Sequence, residues 1–234
     1  MTLSTGCTIF IPVYNEESLL VSNVGRLTDF LTTLDTHYEI IIGSNGSIDR
    51  SVELGRDLSN QHPNIQFFHT PQRGVGAAFK EGVRMATYDR IITVDMDLSI
   101  ELGFIRVAHK LLDSYDMVIG SKITGNQNRA WIRRMASTSF IALAGLLLQI
   151  NFHDYSIAAK GYRKGFAERY LSCVDDKTFY VVEIVYRAHH DGNNLIEIPV
   201  HCHDKRESRF NLIHEGIYKF GNLFRLWLAS LGRH

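Results

Sequence analysis

The sequence predicts a doubly wound α/β sheet, mostly parallel, with helices on both faces. Short β-branched apolar runs alternate with segments of helical period through the first half of the chain. Polar clusters close several of those runs: Tyr14-Asn15-Glu16, Ser44-Asn45-Gly46-Ser47, Arg73-Gly74 and Asp95 to Asp97. Ligands in open α/β sheets bind at that carboxyl edge of the strands. No internal repeat or low-complexity linker divides the chain. The expected organisation is one main domain over residues 1–210 and a C-terminal amphipathic helix over 211–234.

Cys7 to Val13 is apolar and β-branched and reads as the first strand. Asn15 offers a helix cap, and Leu20, Val24, Leu27, Leu31 and Leu34 follow at helical spacing. Tyr38 to Ile42 reads as a second strand, a Gly/Ser/Asn turn follows, and a helix is expected over Asp49 to Asn60. Ile65 to Thr70 is the third strand; Val75, Ala78, Phe79, Gly82, Val83 and Ala86 trace the next helical stripe. Arg90 to Val94, Leu102 to Leu112 and Asp116 to Gly120 read as strand, helix and strand.

The second half differs. A polar loop over Gly125 to Arg129 precedes the apolar stretch Trp131 to Phe152. A strand–helix unit is expected around Ile157 to Leu171, a helix over Tyr180 to His190 and a strand over Leu195 to His201. Leu212 to Leu231 is a final helix rich in Ile, Leu, Phe and Trp.

The 234 residues are 45% hydrophobic and 21% charged, with 25 basic against 25 acidic side chains. That balance gives no global field for nucleic acid, so any basic function is local. Three scattered cysteines fit reduced thiols rather than a disulfide framework. The N-terminus shows no signal peptide, and no apolar stretch is long enough to span a bilayer. His201-Cys202-His203 offers too few ligands for a metal centre and reads as strand and loop.

Asp95 and Asp97 carry the strongest chemical signal. On an extended strand, residues i and i+2 face the same side, so both carboxylates address one point. Hard oxygen ligands suit Mg²⁺ or Mn²⁺, which pair one or two carboxylates with substrate phosphates. Lys122, Arg129, Arg133 and Arg134 cluster around a Gly/Asn loop. They read either as a phosphate site, since guanidinium forks bind phosphate bidentately, or as a solvated charge run beside an apolar helix.

The order of these segments resembles family 2 glycosyltransferases of glycosyltransferase-A fold, within them the dolichyl-phosphate mannose synthase-like (polyprenyl-phosphate glycosyltransferase) branch. Ile11 to Glu17 matches that family's PxYNE opening, Gln72 to Ala78 its GxGxA loop, and Val94 to Ser99 its DxDLS metal motif. Gly120-Ser121-Lys122 stands where the branch has GSR. Asp154 to Arg163 resembles its acidic residue followed by FRxYR, and Arg206 to Arg209 its basic RxxGxSK ending. One segment departs: Ser44 and Asn45 stand where the family has two acidic residues, so Asn45 offers hydrogen bonds without charge.

The resemblance implies transfer of a hexose from a GDP- or UDP-linked donor to a polyprenyl or dolichyl phosphate, with inversion. It implies nucleotide contacts at Pro12, Tyr14, Glu16, Asn45, Arg73, Gly76 and Asp95, and metal binding by Asp95, Asp97 and Ser99. The acceptor phosphate would meet Lys122, Arg129, Arg133, Arg134, Arg206 and Arg209. Glu183 and Asp154 join Asp95 and Asp97 as catalytic candidates. Glu183 either orients substrate or is an ordinary helix residue. Hydroxyl-glycosylating relatives often open a helix with Glu-Asp; here Glu183 is followed by Ile184, which tilts the reading towards a phosphate acceptor. The alternatives are a hydroxyl acceptor with Glu183 or Asp154 as base, and a non-catalytic subunit or lipid-phosphate binder. The expected place is cytoplasmic, peripheral at a membrane face, with Leu212 to Leu231 either interfacial or packed on the sheet or in a homodimer; a membrane-anchoring partner is a further expectation.

Overall fold

The computed structural model describes residues 6–122, 131–202 and 212–232. One seven-stranded sheet organises them in the order β3-β2-β1-β4-β6-β5-β7. The strands are β1 (Gly6–Val13), β2 (His37–Asn45), β3 (Ile65–Thr70), β4 (Arg90–Thr93), β5 (Met117–Ser121), β6 (Lys160–Arg163) and β7 (Leu195–Pro199). All neighbours pair in parallel except β6, which runs antiparallel between β4 and β5. The helices are α1 (Leu20–Leu31), α2 (Ser51–Gln61), α3 (Val75–Met85), α4 (Gly103–Leu111), α5 (Trp131–Leu148), α6 (Lys164–Tyr170), α7 (Tyr180–His190) and α8 (Leu212–Leu231).

The strand periodicity sorts the core into two layers. Ile9, Ile11, Ile40, Ile42, Ile92 and Val118 face α1 and α4, where Leu20, Val24, Leu27, Ile105 and Ala108 cover them. Phe10, Ile41, Ile91, Met117 and Ile119 face the other way, onto α3, α5, α7 and α8. Both faces are covered, which is why the central strands read as continuous apolar runs rather than clean alternation. Phe79 of α3 centres the second layer, its ring 4.9 Å from Tyr180, 5.2 Å from Tyr162 and 6.4 Å from Phe10.

Four expectations change. Asn15 is not a helix cap: it sits at φ 53° and its Oδ1 accepts the Ile48 N–H at 2.8 Å. α1 starts later, with the Leu19 and Leu20 N–H groups on the Glu16 carbonyl, each at 3.0 Å. β2 continues past Ile42 to Asn45 because Ser44 and Asn45 pair with His69 and Thr70 of β3. β4 ends at Thr93, so Asp95 and Asp97 lie beyond the strand; a turn closed by the Leu98 N–H on the Asp95 carbonyl (3.0 Å), with Leu98 at φ 47°, sets their relation instead of the pleat. The polar loop expected over 125–129, like Arg206 and Arg209, lies outside the described residues.

Candidate active site

Three loops at the carboxyl ends of β1, β2 and β3 are stitched by side chain to backbone bonds. Ser47 Oγ accepts the Asn15 N–H (3.1 Å), Ser51 Oγ the Glu16 N–H (2.8 Å), and Asp49 Oδ2 the Glu17 N–H (3.1 Å). In return Glu17 accepts the Arg50 N–H at 3.0 Å. Asn45, 4% exposed, donates to the Val13 carbonyl (2.9 Å) and accepts the Gly74 N–H (3.3 Å), tying all three loops together. A neutral amide does this with one donor and one acceptor, where a carboxylate would offer acceptors alone. Gly46 lies at φ 72°, and a Cβ there would come within 2.8 Å of the Arg73 nitrogen. That close approach brings the Arg73 guanidinium over the Tyr14 ring, 4.0 Å from its centroid. Pro12 stands within β1, in register with Gly43. The structure thus gathers Tyr14, Glu16 and Arg73 at one edge and places Asn45 beneath them.

Gly76 requires a correction. Its N–H donates to the Asp176 carbonyl at 3.1 Å, and a Cβ would sit 1.9 Å from the Asp175 carbonyl oxygen. The close neighbour is the chain's own backbone, which seats the 174–177 segment on the first turn of α3, so the N–H is not offered to a ligand. Lys80 fastens that segment from the helix side, 2.7 Å from Asp176 and 3.3 Å from the Val174 carbonyl. Replacing Gly76 by Ala overpacks a contact made by backbone on both sides, so an expected loss of about 1–3 kcal/mol should appear as a lower urea midpoint at unchanged m-value.

Beside these loops, Asp95 and Asp97 end the β4 connection. Asp95 Oδ2 accepts the Ala158 N–H at 3.2 Å and Asp97 Oδ1 the Ser99 N–H at 3.0 Å. Burial, then the neighbouring Asp97 charge, pushes the Asp95 carboxyl up to about 6. Two carboxylates that repel one another gain from a cation between them, so the donor set fits a divalent ion. Among the described residues no group of three or more His, Cys, Asp or Glu converges into a closed cage. An oxygen-rich site with two carboxylates suits Mg²⁺ or Mn²⁺ shared with phosphate oxygens. The Ser99 backbone fixes Asp97 in this arrangement.

Behind Asp95 lies a buried charge cluster. Lys122, Asp154 and Lys160 are each 1% exposed. Asp154 accepts the Lys122 N–H (3.2 Å), the Ser156 N–H (2.8 Å) and O–H (3.0 Å) and the Ile157 N–H (3.4 Å). The Lys122 ammonium donates to Ser156 Oγ at 2.8 Å and lies 3.8 Å from Asp154. Lys160 donates to the Ile157 carbonyl at 2.9 Å and the Gly120 carbonyl at 3.4 Å. Burial works against an ionised Asp154, but the two ammonium groups and the Ser156 bonds overcome it and hold its carboxyl below the usual range.

This cluster bears on two assignments. Lys122 is buried with its ammonium on Ser156 and beside Asp154. Asp154 is held towards its ionised form with its oxygens already accepting, and it folds the 154–160 segment. Glu183 lies on α7 and is bound by Arg187, one turn on, at 2.6 and 3.0 Å. Arg133 and Arg134 fall in the first turn of α5, and Arg129 lies outside the described residues. Sequence reasoning passed over Lys160 and Ser156. The available signal was a lysine between Ala158, Ala159 and Gly161, small residues that leave room for a buried ammonium.

Comparison with known proteins follows from this arrangement. The family profile described as Glycosyl transferase family 2 matches residues 8–171, which hold both the stitched loops and the carboxylate pair. The chain belongs to that family. It is 29% identical over 212 residues to an undecaprenyl-phosphate 4-deoxy-4-formamido-L-arabinose transferase of Aeromonas hydrophila subsp. hydrophila. That match covers 88% of this chain and 63% of the relative's length. Among solved structures, glucosyl-3-phosphoglycerate synthase from Mycobacterium tuberculosis, in complex with Mn²⁺, UDP-glucose and phosphoglyceric acid, superposes with a TM-score of 0.67 at 13% identity, covering 97% of this chain and 80% of that one. S. aureus TarS 1-349 in complex with UDP gives 0.64 at 16% identity, covering 97% and 66%. The mostly parallel seven-stranded sheet is that of glycosyltransferase-A structures.

Proposed function

We propose that this family 2 member transfers a hexose from a nucleotide sugar to a polyprenyl or dolichyl phosphate, with a divalent cation at Asp95 and Asp97. The 29%-identical relative is named for transfer involving undecaprenyl phosphate, and the M. tuberculosis structural neighbour holds Mn²⁺ with UDP-glucose. The observation that carries the acceptor class is the state of the two candidate bases. Asp154 is enclosed by donors and Glu183 is bound by Arg187. A sugar hydroxyl needs a base to become a nucleophile. A phosphate monoester, with a second pKa near 6, is already mostly dianionic at neutral pH. It needs positioning and charge compensation, which the first-turn Arg133 and Arg134 of α5 would supply.

On the donor side, Tyr14 and Arg73 form a stacked edge for the nucleotide, with Glu16 beside them. The Asp95–Asp97 pair holds the cation against the diphosphate, where it would neutralise charge on the departing nucleoside diphosphate. Incubating the protein with GDP- and UDP-sugars, polyprenyl phosphate and Mg²⁺ or Mn²⁺, with mass detection, tests the reading. A lipid-phosphate sugar is expected. Product on hydroxyl acceptors alone would move Glu183 back into the role of base. Binding of lipid phosphate with no turnover of any donor would favour the non-catalytic reading.

A long-chain acceptor also places the chain at a membrane face. No helix among the described residues is long and apolar enough to cross a membrane. Helix α8 shows two faces: Leu223 (0% exposed) and Leu226 (7%) are core, and Phe220 packs edge-on against Phe140 of α5 at 5.5 Å. Ile217, Phe224, Leu228 and Leu231 form an outward stripe, 45–70% exposed. Truncating α8 would therefore open the core, and surface substitution is the cleaner test. Each of these side chains contributes about 1–2 kcal/mol when inserted into a bilayer. Phe224→Ser with Leu228→Ser should lower partitioning onto anionic vesicles by at least about tenfold in flotation. Equal flotation of both proteins would remove α8 from the docking surface.

A further inference from the structure

We infer that Lys160 is a positioning residue for Asp95: its buried ammonium pins the segment whose backbone N–H orients that carboxylate. This rests on the metal-dependent reading of Asp95 given above. The 154–160 segment enters β6 against the general direction of the sheet, so it reaches the ligand edge as a loop before β6 begins. One of its groups touches the carboxylate pair directly, the Ala158 N–H at 3.2 Å from Asp95 Oδ2. That amide is therefore only as well placed as the loop carrying it.

Lys160 ties the loop in two directions. One bond, to the Ile157 carbonyl at 2.9 Å, closes the residues just before Ala158. The other, to the Gly120 carbonyl at 3.4 Å, reaches across to β5. From the β4 side, the Thr93 hydroxyl donates to the Ala158 carbonyl and also lies 3.3 Å from the Lys160 carbonyl. The Gly120 N–H completes the belt on the Ala159 carbonyl at 2.9 Å. Ala158 is thus held between β4 and β5, and the ammonium bonds the loop at Ile157 to β5 at Gly120. An ammonium in a 1%-exposed niche costs stability that an apolar side chain would not. Its presence there is consistent with a task beyond filling space. Partners that orient metal-binding groups typically carry about 10- to 100-fold of metal affinity.

Lys160→Met keeps the length and volume of the side chain and removes the charge and both bonds, while Asp154 retains Lys122. The variant loses two bonds and one of the two ammonium partners of Asp154, so it should stay folded with a melting temperature lower by a few degrees. Its Mn²⁺-dependent affinity for GDP or UDP, measured by calorimetry, should fall by roughly 10-fold or more. The decisive measurement is the double-mutant cycle with Asp95→Asn. Once Asp95 has lost its charge, adding Lys160→Met should change affinity by less than about twofold, because the two residues act as one unit. A residue that merely stabilised the fold would instead add its factor in both backgrounds. Should Lys160→Met fail to fold, Lys160→Gln, which keeps a donor, carries the same cycle. Full additivity, or unchanged affinity in Lys160→Met, overturns the inference while leaving the metal site standing. If Asp95→Asn itself leaves Mn²⁺-dependent binding unchanged, the metal reading falls and the role of Lys160 towards it falls too.

Discussion

Asp97→Ala should abolish the dependence of nucleotide binding on Mn²⁺ and lower turnover by roughly a thousandfold. A cation shared between a carboxylate pair and a diphosphate supplies several kcal/mol of charge stabilisation, and each ~1.4 kcal/mol is a factor of ten. Asp97 is the informative member because Asp97→Asn removes its charge at nearly unchanged shape. Asp97 Oδ1 accepts the local Ser99 N–H at 3.0 Å, while Asp95 Oδ2 accepts the Ala158 amide from a distant segment at 3.2 Å. Asp97→Asn keeps an oxygen for the Ser99 N–H and loses only the charge, so it should match Asp97→Ala in binding and the parent in stability. Calorimetry of GDP and UDP with and without Mn²⁺ decides the matter. Identical affinities for parent and variants in both conditions would remove the metal assignment and, with it, the proposed handling of the leaving group.

Asp154→Leu should cost about 3–5 kcal/mol, the typical penalty for leaving a buried charge uncompensated. Here two ammonium groups, Lys122 and Lys160, lose their shared counter-charge, and three N–H or O–H donors around Ser156 and Ile157 lose their acceptor. For a chain of this size the melting temperature should fall by about 10 °C. Asp154→Asn should lose much of the same stability, although its shape is nearly unchanged, because the charge is what the lysines require. Lys160→Met in the Asp154→Leu background should recover part of the loss. The linkage sign follows from the lowered pKa of Asp154. Its folded value lies below its unfolded value near 3.9, so its contribution is complete above about pH 4. The contribution disappears as pH falls from there through the folded value. A catalytic base at this position would behave otherwise: Asp154→Asn would melt like the parent and show an altered pH–rate profile.

The strand and helix pattern was readable where one side-chain periodicity dominated. Ile65 to Thr70, Tyr180 to His190 and Leu212 to Leu231 have the bounds their patterns indicate, since apolar spacing alone specifies each buried face. The polar clusters at strand ends were readable too, because parallel strands bring their carboxyl ends to one edge wherever each strand lies in the order. Reading was less secure where long-range bonds compete with local ones. Asn15 has the chemistry of a cap, yet Ile48, thirty-three residues away, takes its side chain. Gly76 has the chemistry of a ligand loop, yet Asp175 and Asp176 fill the space beside it.

By itself, then, the sequence determined the α/β alternation, the ligand edge and the carboxylate pair, because these follow from periodicity and from residue types only a few positions apart. Tertiary structure decided which charged groups reach that edge. Lys122 and Asp154 are thirty-two residues apart, and Lys160 enters with a strand whose reversed direction no local pattern announces. Burial gathers Lys122, an acceptor-phosphate candidate, and Asp154, a catalytic candidate, into one ion cluster, since in a low-dielectric interior an ammonium and a carboxylate pair strongly with each other. The same packing divided the apolar side chains of α8 between a core face and an exposed stripe, a division their number alone does not show.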